Sequence, residues 1–181
     1  DRDVPGTFNI DGEGVRPPLP ARWEQIESIK GKISANLPPI RIACDVTNPL
    51  LGPHGAAAVY GPQKGLAAAD LAKLDHATAR LGLLLCAHSN QPDSLMDQPG
   101  AGAAGGIAFG LMSAAHAKLL PGFELVAAWL DLDVRIAAAD SVITGEGRFD
   151  ATSLSGKGPG DVVARALALG NFDYRLSEDG V

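Results

Sequence analysis

Chemistry-bearing residues are densest in GEGRFDATSLSGKGPG, residues 145–160. Glu146, Arg148, Asp150 and Lys157 lie there among Gly145, Gly147, Gly156, Gly158 and Gly160, with Ser153 and Ser155 between them. Glycines let backbone N–H groups approach a ligand closely, and mixed charges beside them suit a small, highly charged anion. A plain strand-to-helix connection can also be rich in glycine, but carboxylates and cations set among the glycines are unusual for a passive turn. Phosphate handling is the chemistry indicated, though not by a Walker A loop. That pattern would need Gly at Ala151 and Ser or Thr at Gly158.

Two further loops carry polar groups of the same kind. Asp45 ends the apolar run IRIACDV, with Thr47, Asn48, Gln63 and Lys64 further along. A carboxylate at the end of a strand can position a hydroxyl proton or hold Mg²⁺ through water; the competing reading is an Asp that closes the turn before T-N-P. PGAG at 99–102, continuing through Gly105 and Gly106, offers N–H groups to an anion at a helix start. Cys44 and Cys86 form no C-x-x-C pair, and His54, His76, His88 and His116 show no metal-ligand spacing. Reduced thiols and a cytoplasmic location are the simplest expectation.

Strands and helices must position these loops. Ile40–Val46 and Ser141–Thr144 are short apolar, β-branched runs without alternation, which predicts strands buried on both faces of a mainly parallel sheet. Ligands of such sheets bind beyond the carboxyl ends of the strands, where Asp45 and Gly145 fall. Trp23, Ile26, Ile29 and Ile33 recur at helical spacing over 21–33, and Thr47 to Gly65 reads as one long loop. Ala67–His88 is the clearest amphipathic helix, with Leu71, Leu74, Leu81, Leu84 and Leu85 on one broad face. A glycine-rich turn then runs into a helix in which Gly102, Gly106 and Gly110 fall four apart, a stripe suited to close packing on a sheet. Further helices are expected over Glu124–Leu130 and Val162–Leu169.

Composition bounds the function. With 46% hydrophobic and 20% charged residues the 181-residue chain is globular, and a net charge of −6 argues against nonspecific binding to nucleic acid or an anionic membrane. The stretch from Gly100 to Ala117 has few charges but carries too many glycines for the ~20 strongly apolar residues of a membrane span.

Taken together, IRIACDVTNPLLGPHGAAAVYGPQKG, PGAGAAGGIAFGLM and ADSVITGEGRFDATSLSGKGP resemble the signature segments of bacterial glycerate kinase, in the same order and at fitting intervals. The resemblance runs from Ile40 to Gly170 and more loosely over Gly6–Leu37. It implies an α/β fold of parallel sheet and flanking helices, and transfer of the γ-phosphoryl of ATP, with Mg²⁺, to D-glycerate, giving 2-phosphoglycerate. Kinases of another short hydroxy acid, or a noncatalytic anion-binding module, are the competing readings. The resemblance also implies longer chains than this one. The expectation is therefore a central portion, an inserted domain plus part of a nucleotide-fold domain, inactive by itself. Residues 1–39 would form an N-terminal segment, 40–170 the core, and 171–181 a tail unlike the family.

For the site, the resemblance implies Asp45, Arg148 and Lys157 as catalytic residues. Asp45 would face the acceptor hydroxyl, Arg148 would clamp a carboxylate or phosphate, and Lys157 would supply a point charge. Glu146 and Asp150 are implied as Mg²⁺ ligands or as partners of that Arg, and Ser153 and Ser155 as phosphate donors. Thr47, Asn48, Gln63, Lys64, Gly100, Gly102, Gly105, Gly106, Gly145 and Gly147 complete the binding set, with the 99–106 loop as backbone cradle. D-glycerate is the partner implied, without nucleic acid or membrane, and a homo-oligomer is compatible with this.

Overall fold

The run IRIACDV is a strand over its first half alone. A computed structural model describes residues 7–10, 13–15, 19–31, 37–145 and 158–169, and in it β4 spans Arg41–Ala43 with only Ile42 turned partly inward. The expected buried strand over 40–46 is thus shorter and half exposed, and Val46 is 41% exposed. The reason is local: the Cys44 thiol donates to the Val46 carbonyl at 3.3 Å, closing a turn directly after β4.

The α/β class holds. β4 pairs with β5 (Lys118–Leu120) in a small parallel sheet, begun by the Lys118 N–H donating to the Ile40 carbonyl at 3.0 Å. A separate antiparallel sheet has β1 (Thr7–Ile10) between β2 (Glu13–Val15) and β3 (Ser28–Lys30), with Phe8 opposite both Val15 and Ile29. β3 overturns the helix expected over 21–33. Only Pro20–Gln25 coils, as a 3₁₀ turn, and the chain then extends through Ile26 to Lys30 before Gly31 turns it at φ 92°. β-branched Ile29 gains more from pairing with β1 than from a helix ended by that glycine.

The chain divides into two compact units, Asp1–Leu119 and Leu120–Val181. In the first, α1 (Ala56–Tyr60) and a 3₁₀ turn at Pro62–Lys64 occupy what was expected to be a structureless loop. The AAAV run supplies the helix propensity. α2 (Leu71–Ser89) is the amphipathic helix expected over 67–88, with Ala77, Leu81, Gly82 and Cys86 buried and His76 and His88 at the surface. It packs on α1, on the 20–25 turn and on α3 (Ala103–Ala115), around a core of Leu50, Ala56, Cys86, Met96, Ala101, Phe109 and Met112. Each large apolar side chain so buried contributes about 1.5–3 kcal/mol.

The glycine stripe does not form one helical face. Gly102 precedes α3, Gly106 is left-handed at φ 96°, and a Cβ on Gly110 would touch nothing within 4 Å.

In the second unit, α4 (Gly122–Trp129), α5 (Leu132–Ala137) and α6 (Gly158–Ala168) are tied by one side chain. The Arg165 guanidinium donates to Glu124 and Asp133, each at 2.6 Å, and lies 5.3 Å from the centre of the Phe123 ring. These two carboxylates hold its pKa above the ordinary arginine value. α5 falls in DLDVRIAAAD, outside the helices expected from the sequence. The strand expected over Ser141–Thr144 is absent, and Ile143 is 97% exposed. A parallel strand is held by its neighbours' hydrogen bonds, and none of the described strands pairs with this one. Among the described residues no helix is long and apolar enough to cross a membrane.

Candidate functional site

Asp45 lies two residues beyond β4, exposed at the carboxyl end of the strand. The loop that follows is pinned at several points. Leu50 N–H donates to the Met96 carbonyl at 2.9 Å, and Gly52 N–H donates to both carboxylate oxygens of Asp75 on α2 at 3.2 Å. Gly52 is left-handed at φ 84°, a conformation that suits glycine.

Asn48 joins this loop to the glycine-rich one. Its main-chain oxygen accepts from Gly102 N–H at 2.9 Å, its Nδ2 donates to the His54 carbonyl at 2.9 Å, and its Oδ1 accepts from the Tyr60 hydroxyl at 3.0 Å. The contact is too tight for a side chain at residue 102. A Cβ on Gly102 would stand 2.2 Å from the Pro49 oxygen, and one on Gly100 would stand 3.0 Å from Cys44 Sγ. Gly100 and Gly102, expected to clear space for a ligand, are both buried and let the two loops meet.

Beyond Gly102 the backbone turns left-handed three times in succession, at Ala104 (φ 53°), Gly105 (φ 78°) and Gly106 (φ 96°). Gly105 and Gly106 N–H both return to the Gly102 carbonyl, at 3.0 and 3.2 Å. A left-handed conformation costs an L-residue such as Ala104 roughly 1–2 kcal/mol, and strain of this kind concentrates at functional sites. A Cβ on Gly105 would meet only the Lys64 ammonium, at 3.8 Å. The structure therefore sets Lys64 before an open, exposed turn at the start of the helical part of α3.

The first two of the three predicted loops thus come together, through Asn48 and Gly102 and through Lys64 and Gly105. Thr47 and Gln63 are exposed on the same segments. Gly145, in the second unit, is exposed with open space around it. Glu146, Gly147, Arg148, Asp150, Ser153, Ser155 and Lys157 lie outside the described residues. Among the described residues no group of three or more His, Cys, Asp or Glu side chains is placed to hold a metal ion.

Residues 8–171 match the sequence model of the glycerate kinase family. The chain belongs to that family. It is similar to the glycerate kinase of Halalkalibacterium halodurans, with 42% identity over 131 residues that cover 72% of this chain and 34% of that protein. It is also similar to the glycerate 2-kinase of Escherichia coli K12, with 43% identity over 122 residues, 66% of this chain and 31% of that one. A crystal structure from Salmonella typhimurium LT2, assigned as a glycerate kinase 2, superposes with a TM-score of 0.77 at 36% identity, over 92% of this chain and 44% of that chain. The chain spans about a third of the length of the curated glycerate kinases it matches.

Two residues of this candidate site escaped the sequence reading. Tyr60 lay in an expected loop, and Asp75 was not singled out on the amphipathic helix. For Asp75 a signal existed. It falls next to Leu74 and one turn from Leu71, at the border of the apolar stripe, where a carboxylate needs a partner.

Proposed function

We propose that the full-length protein transfers a phosphoryl group from MgATP to D-glycerate, in the cytoplasm, and releases 2-phosphoglycerate. The observation that carries this reading is the placement of Lys64 against the left-handed turn at 104–106, in a chain of the glycerate kinase family. A side chain at residue 105 would fill the space in front of the ammonium, so the residues present fit a phosphate-bearing group there. The helical part of α3 adds the partial positive charge of its N-terminal end.

Phosphoryl transfer asks a protein for positioning and for neutralisation of charge on the equatorial oxygens, with the attacking oxygen in line. MgATP, when bound, supplies the phosphoryl group and its counter-charge. In this reading Lys64, set before the open 104–106 turn, holds phosphate oxygens, and Asp45 orients the acceptor hydroxyl and takes its proton. Arg148 clamps the glycerate carboxylate in a two-pronged hydrogen bond, with Lys157, Ser153 and Ser155 on phosphate oxygens and Glu146 and Asp150 on magnesium.

The test is product identification by ³¹P NMR after incubating the full-length protein with D-glycerate and MgATP. The expected signal is that of 2-phosphoglycerate. Phosphorylation of a different hydroxy acid in preference to glycerate, or of none, overturns the reading.

A further inference from the structure

Asn48 was expected to contact substrate, but both ends of its amide are committed inside the protein. The His54 carbonyl can only accept a hydrogen bond, so the group 2.9 Å away must be Nδ2. That turns Oδ1 toward Tyr60. An amide oxygen also only accepts, so the phenol is the donor, and no other tautomer or flip satisfies both contacts. With its side chain held from two sides, Asn48 presents its main-chain oxygen to Gly102 N–H. Gly102 in turn anchors Gly105 and Gly106 through its own carbonyl.

Tyr60 is the last residue of α1, and the 3₁₀ turn carrying Lys64 follows directly. α1 is seated firmly: Ala56 and Ala57 are buried, and a Cβ on Gly55 would stand 2.4 Å from the Leu51 backbone. One short segment thus carries the cation that faces the left-handed turn and the hydroxyl that fixes the loop on which that turn hangs.

We propose that Tyr60 is a positioning residue for the anion site, acting through Asn48 on Gly102 and the 104–106 turn and touching no substrate itself. Its kinetic consequences rest on the kinase reading above; its structural consequence does not. Tyr60→Phe keeps the ring and its packing and removes only the donor. In the full-length protein this variant should stay folded but lose up to about tenfold in kcat/KM, the scale of one hydrogen bond. Asn48→Ala should show a similar loss. Because the phenol acts only through Oδ1, adding Tyr60→Phe to Asn48→Ala should cost nothing more. A merely structural tyrosine would lower the melting temperature and leave the kinetics of the folded protein alone.

Hydrogen exchange at the Gly102 amide supplies the readout independent of turnover, and it should quicken in Tyr60→Phe. Parental kinetics in Tyr60→Phe, or losses that multiply in the double variant, overturn the proposal. If the parent phosphorylates nothing, the kinase reading fails by itself. The Gly102 amide then decides, with faster exchange in Tyr60→Phe upholding the positioning role and unchanged exchange ending it.

Discussion

The Asn48 carbonyl accepts the Gly102 N–H at 2.9 Å, joining the loop after β4 backbone to backbone with the glycine-rich loop before α3. That junction links the two described loops of the candidate site. Asp45 lies on one side of it, and the left-handed turn facing Lys64 lies on the other.

Gly102→Ala should therefore be destabilising where Gly110→Ala is not. A methyl at residue 102 meets the Pro49 carbonyl at 2.2 Å, backbone that cannot step aside, and overpacking of this kind costs about 1–3 kcal/mol. Gly110 has nothing within 4 Å of its would-be Cβ and sits inside α3, so alanine there should be neutral or stabilise by up to ~1 kcal/mol. Urea unfolding of both variants checks this. Equal effects would mean that the two loops do not meet as described.

At Asp45 and Lys64 the effects should divide by role. Asp45→Asn keeps the shape but cannot take a proton, so kcat should fall by about 10²–10⁴-fold with binding little changed. Lys64→Ala should instead weaken binding of the phosphate-bearing substrate about 10–100-fold, the scale of a charge-assisted hydrogen bond. Steady-state kinetics of the full-length protein, with thermal melts as the folding control, separate these outcomes. Near-parental kcat in Asp45→Asn would assign that residue to the turn.

Arg148→Lys should be nearly as damaging as Arg148→Ala. An ammonium keeps the charge but loses the planar fork that makes two parallel hydrogen bonds. An arginine that merely balanced Glu146 and Asp150 at the surface would be replaced almost without loss, since exposed pairs contribute about 0–1 kcal/mol. Measuring kcat/KM separately for glycerate and ATP shows which substrate that loop serves.

Cys86 should make stability fall in alkali. Burial pushes its thiol above the ordinary value of 9.0, the negative charge of Asp93 adds to this, and the neighbouring Ser113 hydroxyl opposes it. In the unfolded chain the thiol ionises near 9.0, whereas in the fold it stays protonated to higher pH. Above pH 9 the unfolded state therefore binds fewer protons, and stability present in full below that pH declines as pH rises. Cys86→Ala should lower the whole curve but flatten its alkaline limb. Cysteine alkylation gives a second check: half-exposed Cys44 should react in the native protein and fully buried Cys86 only on unfolding.

Local signals carried some of the helices. The leucine spacing of α2, the apolar run of α4 and the body of α6 are written in neighbouring residues, because a helix closes its hydrogen bonds within itself, whereas the helix expected over 21–33 gave way to β3 and the short α1 and α5 were not foreseen. The glycine-rich stretch at 99–106 was legible as a place of close approach, since Gly in such clusters answers to local backbone requirements, whereas residues 146–157 of the third loop lie outside the described residues.

Strands were another matter. Ile29 and Ile143 look alike in sequence, yet Ile29 pairs in β3 while Ile143 is exposed outside any described strand. A strand exists only where another backbone offers the complementary N–H and C=O groups. The roles of the site glycines were decided the same way. Composition marked Gly100, Gly102 and Gly105 as places where something comes close. Only the tertiary structure decided that another loop's backbone approaches Gly102, that Cys44 approaches Gly100, and that the Lys64 ammonium faces Gly105, because which atom fills the space of a missing side chain depends on residues remote in the chain.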